Sequence, residues 1–254
     1  MNSGESRLNL KDEALKVVRM GEERGIKLRL MGACAILVHC PRYAYLQDIL
    51  ERELSDMDFM SYSEFEPKIQ ELAAELGYKP IKRGPAFSLM KGRQIFNRQN
   101  FIIDVFFDEL EMCHKINFRG RLELDYPTIT LSDILLEKMQ IVQLTEKDVK
   151  DTIVLIREHE IGEDDMEKVN VDYVTRILSD DWGFYYTVTT NLKAVKEKLG
   201  KYQSLTQEDL SEVATKIDGL LSAIDARPKS LKWKMRAKIG TSRKWYQEVE
   251  ETIR

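Results

Sequence analysis

The chain has 254 residues, 43% hydrophobic and 32% charged, with 39 Lys and Arg against 43 Asp and Glu for a formal net charge of −4. That composition excludes an intrinsically disordered chain, and without a global positive field any polyanion must be met by a local patch. The length exceeds the usual single-domain size, so one core plus an appendage is expected.

The N-terminus, MNSGESRLNLKDEALK, has no apolar h-region, and no run approaches the ~20 apolar residues of a membrane span. Cys34, Cys40 and Cys113 form no CxxC pair, which predicts small buried thiols in a reducing compartment. A cytoplasmic protein with no membrane partner is the expectation.

Residues 9–24 place Leu15, Val18 and Met20 among charges at helical spacing, with Gly25 as a stop. IKLRLMGACAILVHC reads as a short strand running into Gly32 and an apolar run. YAYLQDILEREL then reads as a helix or loop-helix, and SDMDFMSY as a strand. Ser63 and Glu66 form a capping-box signature for a helix that Gly77 closes, with Pro67 in its first turns. From Tyr78 to Asp108 the pattern is short strands (YKPI, AFSLMK, RQIFNR, NFIIDVFFD), with Gly84-Pro85 and Lys91-Gly92 as turns. A further strand-like piece, GRLELD, precedes Pro127. Thr130 or Ser132 is expected to cap the helix DILLEKMQIVQL, and Thr145 the helix EKDVKDTIVLIREH. Beyond the acidic GEDDMEK the pattern is wholly helical and ends in a basic, aromatic segment. The expected architecture is α+β: a mixed sheet flanked by helices over 1–158, then an all-helical domain over 159–254.

Chemistry concentrates in LSDMDFM. On a strand, side chains alternate, so Asp56 and Asp58 share a face about 6–7 Å apart while Met57 and Phe59 point into a core. Paired carboxylates repel, and oxygen-loving divalent metals offset that cost. A third acid, Asp104, lies in FIIDVFFD, which reads as a strand buried on both faces. Two readings of Asp104 stand: a metal ligand, or an Asp at a fraying strand end or paired with an Arg.

A Gly-containing turn after a strand (Met31-Gly32-Ala33), then Ser55-Asp56-Met57-Asp58, then a hydrophobic strand bearing Asp104, resembles the nucleotidyltransferase superfamily that includes polymerase beta. Within it, the Lys138 helix followed by one with Asp148 and Asp151 resembles the abortive-infection and toxin-type members. The resemblance covers residues 10–158. It implies a nucleotidyltransferase-like sheet and two Mg²⁺ ions on Asp56, Asp58 and Asp104. It also implies transfer of NMP from an NTP to a hydroxyl of a small molecule, protein or RNA. Gly32 and Ala33 amides would cradle the triphosphate, Ser55 would donate to it, and Lys138 would supply positive charge beside it, with Asp148 near the nucleotide. Ala33 departs from the Gly or Ser usual in that turn, and the gap from Gly32 to Asp56 is long for the pattern. A non-catalytic nucleotide sensor or partner-binding scaffold is therefore the alternative.

Other residues have blander readings. His39 reads as a satisfied core or surface histidine, and His114 and His159 as solvated. Arg83, Lys91, Arg93 and Arg98 read as a charged sheet face, with a triphosphate or acceptor clamp as the second option. Trp182, Phe184, Tyr185 and Tyr186 read as helical-domain core. The basic residues from Lys229 to Lys244, interleaved with Trp233, Trp245 and Tyr246, read as a basic surface helix, with single-stranded RNA binding as the alternative.

Overall fold

The computed structural model describes residues 3–52, 54, 56–81 and 92–248. Within it the chain forms two compact units: residues 1–41, 53–110 and 117–130, and residues 42–52, 111–116 and 131–254. The helices over 131–139 and 146–158, expected inside a 1–158 core, therefore belong to the second unit.

The first unit is a mixed five-stranded sheet with helices. α1 (Ser3–Glu22) ends before Gly25, whose φ of +67° suits glycine. β1 (Leu28–Met31) runs directly into α2 (Gly32–His39). β2 (Met57–Ser61) follows, with Met57 and Phe59 fully buried as alternation requires. Then come β3 (Lys79–Pro80), β4 (Arg93–Arg98) and β5 (Phe101–Phe107). The spatial order is β1-β2-β5-β4-β3, with β2 and β5 parallel and the other pairs antiparallel. β5 is not buried on both faces. Ile103, Val105 and Phe107 are core, but Ile102 is 38% exposed, so the face carrying Asp104 is partly open.

Two local expectations fail for identifiable reasons. No side chain caps the turn at Ser63 or the helix α4 (Glu66–Glu75); the Ser63 N–H instead donates to Asp108 Oδ1 at 3.1 Å. Pro67 does sit in the first turn of α4, and Gly77 beyond its end has φ +78°. GRLELD forms turns, because the buried Arg29 takes the carbonyls of Leu122 and Asp125 at 2.9 and 2.7 Å. A strand would need those acceptors for a neighbouring chain. Thr130 accepts from Arg121 at 2.9 Å, and Ser132 accepts from the Asn170 N–H at 2.7 Å. AFSLMK, Gly84-Pro85, Arg83 and Lys91 lie outside the described residues.

The second unit is mainly helical: α3 (Tyr45–Ile49), α5 (Leu131–Met139), α6 (Glu146–Glu158), α7 (Val171–Leu178), α8 (Trp182–Lys198), α9 (Gln207–Ala226) and α10 (Leu231–Ile239). α6 opens on a capping box in which Thr145 and Asp148 satisfy each other's backbone N–H groups. The helical run breaks at Ser179–Asp181, where Asp181 accepts from the Phe184 N–H and starts α8. A short pair, β8 (Glu160–Gly162) and β9 (Lys168–Asn170), interrupts the helical run. β6 (Glu109–Glu111) and β7 (Lys115–Asn117) form a separate two-stranded ribbon.

All three histidines are buried, against the expectation that two are solvated. His114 meets the Thr187 hydroxyl at 2.8 Å and stacks on Phe184, and burial pushes its pKa down to about 4 against a weaker opposing pull from Asp181. His39 is satisfied by Thr128 and lies 3.4 Å from Asp125, a core role. Cys34, Cys40 and Cys113 are buried and unbridged.

Asp151, fully buried on α6, accepts from Arg52 at 2.8 and 3.0 Å and pairs with Lys138 on α5 at 3.1 Å. Removing it by Asp151→Ala strands two buried cations. Chemical denaturation should show a loss of about 3–5 kcal/mol, and an unchanged midpoint would contradict the pairing.

Candidate functional site

Strand register brings the acids together. Asp58 on β2 is the direct partner of Asp104 on β5 and, on its other side, of Met31 at the end of β1. Partners across a ladder share a face, so the two carboxylates emerge side by side. Asp56 stands two residues earlier, just before β2, and the Cys34 thiol donates to its backbone carbonyl at 3.4 Å. Asp104 is 4% exposed, while Asp56 and Asp58 are intermediate.

Gly32 follows Met31 and has φ +65°, a conformation that L side chains rarely adopt. A Cβ at this position would lie 2.7 Å from Asp58 Oδ2. The glycine is therefore needed twice, for its backbone angle and for the room it leaves the carboxylate. α2 begins at this residue, and no side chain caps its N-terminus at Met31. Backbone N–H groups at such an end, with the helix dipole behind them, favour an anion. Ala33 is the second residue of α2, where its methyl group leaves the backbone to do the work.

The counter-charge comes from β4. Ile95 is the ladder partner of Asp104, and Arg93, two residues earlier, reaches it diagonally. Its Nε donates to Asp104 Oδ1 at 2.8 Å and to Oδ2 at 3.1 Å, its Nη2 also donates to Oδ2, and the guanidinium lies 4.8 Å over the Phe106 ring. Burial works against the charge of Arg93, yet hydrogen bonding and attraction from Asp104, then Asp58 and Asp56, outweigh it and raise its pKa. One guanidinium thus stands among three carboxylates, whose oxygens are not all gathered within 4.8 Å of one another. The donor chemistry, hard carboxylate oxygens, fits a Mg²⁺- or Mn²⁺-like ion. Arg93 is the residue that sequence reasoning left on a charged sheet face, because its meeting with Asp104 depends on the β4–β5 register.

Ser55 lies outside the described residues. Lys138, in the second unit, is tied to Asp151; burial opposes its charge, but Asp151 and Glu137 overcome this and raise its pKa. Asp148 is held in the capping box with Thr145. Asp148 and Asp151, although three residues apart on α6, therefore have different partners.

No protein-family model and no curated protein matches the chain. Among solved structures it is similar to an antigenic nucleotidyltransferase-like protein from Paracoccidioides brasiliensis, at 13% identity and a TM-score of 0.41, over 87% of this chain and 94% of that one. At that similarity no residue role transfers.

Two substitutions test this geometry. Gly32→Ala should cost about 2 kcal/mol in a urea titration, from the backbone angle and the displaced Asp58; a neutral result would refute the close approach. Arg93→Ala leaves Asp104 buried without its guanidinium and should cost about 3 kcal/mol without divalent ions. Added MgCl₂ or MnCl₂ should then raise the melting temperature of the variant more than that of wild type. Equal responses would deny that Arg93 and a metal serve the same carboxylate.

Proposed function

We propose that the chain is a Mg²⁺-dependent nucleotidyltransferase, moving NMP from an NTP to a hydroxyl on a small molecule, protein or RNA. The observation that carries this reading is the pairing of Asp58 with Asp104 beside Gly32 at the start of α2. Asp56, Asp58 and Asp104 would hold two divalent ions, which when bound supply Lewis-acid stabilisation of the attacking and leaving oxygens.

The remaining roles belong to the chain itself. Amides of Gly32 and Ala33 would orient the triphosphate at the N-terminus of α2. Arg93 would steady Asp104 before loading and limit repulsion among the three acids. Ser55 is proposed as a phosphate donor. Lys138 and Asp148 could serve the nucleotide only by giving up Asp151 and Thr145 as partners, which makes them the weakest members of the set.

A second reading has its own support. Arg93 engages both oxygens of Asp104, an arrangement suited to a metal-free nucleotide sensor or partner-binding scaffold. A function in RNA binding through the basic C-terminal segment is the third. Incubation with labelled NTPs, Mg²⁺ and RNA or cell extract separates them. The enzyme reading expects label on an acceptor, lost in Asp58→Asn. Equal labelling by that variant would refute it, and metal-independent NTP binding by calorimetry, unaltered in Asp104→Asn, would favour the scaffold.

A further inference from the structure

α10 packs on α8 through Trp233, whose ring meets Tyr185 edge-on at 5.1 Å, and through Arg236, 4.8 Å from the Trp182 ring. At about 100° per residue, another flank of the helix carries Leu231, Met235 and Ile239. They are 73%, 56% and 41% exposed. Their i, i+4, i+8 spacing makes one apolar stripe on the surface.

Lysines border the stripe. Lys234 and Lys238 stand on one side and Lys232 on the other, all exposed, with Lys232 3.8 Å from Asp180. From Ala226 to Gln247 the chain has eight Lys and Arg and no Asp or Glu, in a protein of net charge −4. Four of the eight serve internal bonds: Arg227 donates to Asp172 and to the Thr175 hydroxyl, and Lys244 pairs with Glu248. Lys229 donates to the Asp225 and Arg227 carbonyls, and Arg236 to those of Gly240 and Arg243. The bordering lysines keep their ammonium groups at the surface beside exposed hydrocarbon.

We infer that this flank of α10 docks the protein on an anionic membrane surface. Leu231, Met235 and Ile239 enter the headgroup–acyl boundary, and Lys232, Lys234 and Lys238 snorkel to lipid phosphates. A protein partner is disfavoured by composition, because protein interfaces are rich in aromatic residues and Arg and poor in Lys, and this flank is the reverse. RNA is disfavoured because bases stack on open aromatic faces. Here Trp233 is turned onto Tyr185, and Trp245 lies edge-on to Tyr186 at 5.1 Å. No described helix is long and apolar enough to cross a membrane, so the contact is peripheral.

The test is co-sedimentation of the full chain with vesicles of phosphatidylcholine alone or mixed equally with phosphatidylglycerol. Binding is expected on the anionic vesicles only, and to weaken as salt rises. Each lysine near such a surface is worth about fivefold in affinity, so Lys234→Glu with Lys238→Glu should weaken binding on the order of 100-fold. Met235→Asp with Ile239→Asp should weaken it at least about tenfold. Lys193→Glu, an exposed charge on α8, should leave it unchanged. Unfolding midpoints confirm that these surface variants fold. No vesicle binding overturns the inference. So does binding indifferent to Met235→Asp with Ile239→Asp, or binding fully displaced by single-stranded RNA, either of which would make the flank a general polyanion site.

Discussion

Two carboxylates placed side by side on adjacent parallel strands cannot both remain charged without a cation close by. That constraint, set by the register of β2 and β5, organises the sheet unit. It explains why a glycine begins α2, since a Cβ there would meet Asp58, and why an arginine sits diagonally from Asp104 on β4. The acids are costly to the fold and make sense as a site. The partly open face of β5 is where a ligand could reach them.

The second unit handles buried charge differently. Asp151 is shared by Arg52 and Lys138, and Arg157 pairs with Asp209 at 2.6 Å while its guanidinium stacks 4.3 Å from the Tyr43 ring. Each buried cation there is met by a carboxylate within the same unit, so these clusters read as structural knots between helices.

Much of this arrangement was legible before any coordinates. Alternation in LSDMDFM put Met57 and Phe59 in the core, and the Thr145 cap and the Gly25 and Gly77 stops follow from local backbone chemistry. What stayed hidden depends on which strand lies beside which. Arg93 meets Asp104 only because β4 and β5 pair in one register, and no local pattern encodes that. GRLELD has strand-like alternation but loses two carbonyls to Arg29, 93 and 96 positions away in sequence and adjacent in space. His114 was misjudged for a similar reason: its partner, Thr187, comes from a remote segment.

The central claim is that Asp56, Asp58 and Asp104 share divalent cations, and anomalous diffraction tests it most directly. Crystals soaked with MnCl₂ and a non-hydrolysable NTP should show a manganese peak in coordination distance of Asp58 and Asp104, with the nucleotide phosphates on the Gly32 side. Asp104 would then have loosened its grip on Arg93. A map with no peak at these carboxylates, and Arg93 still clasping both oxygens of Asp104, would contradict the account.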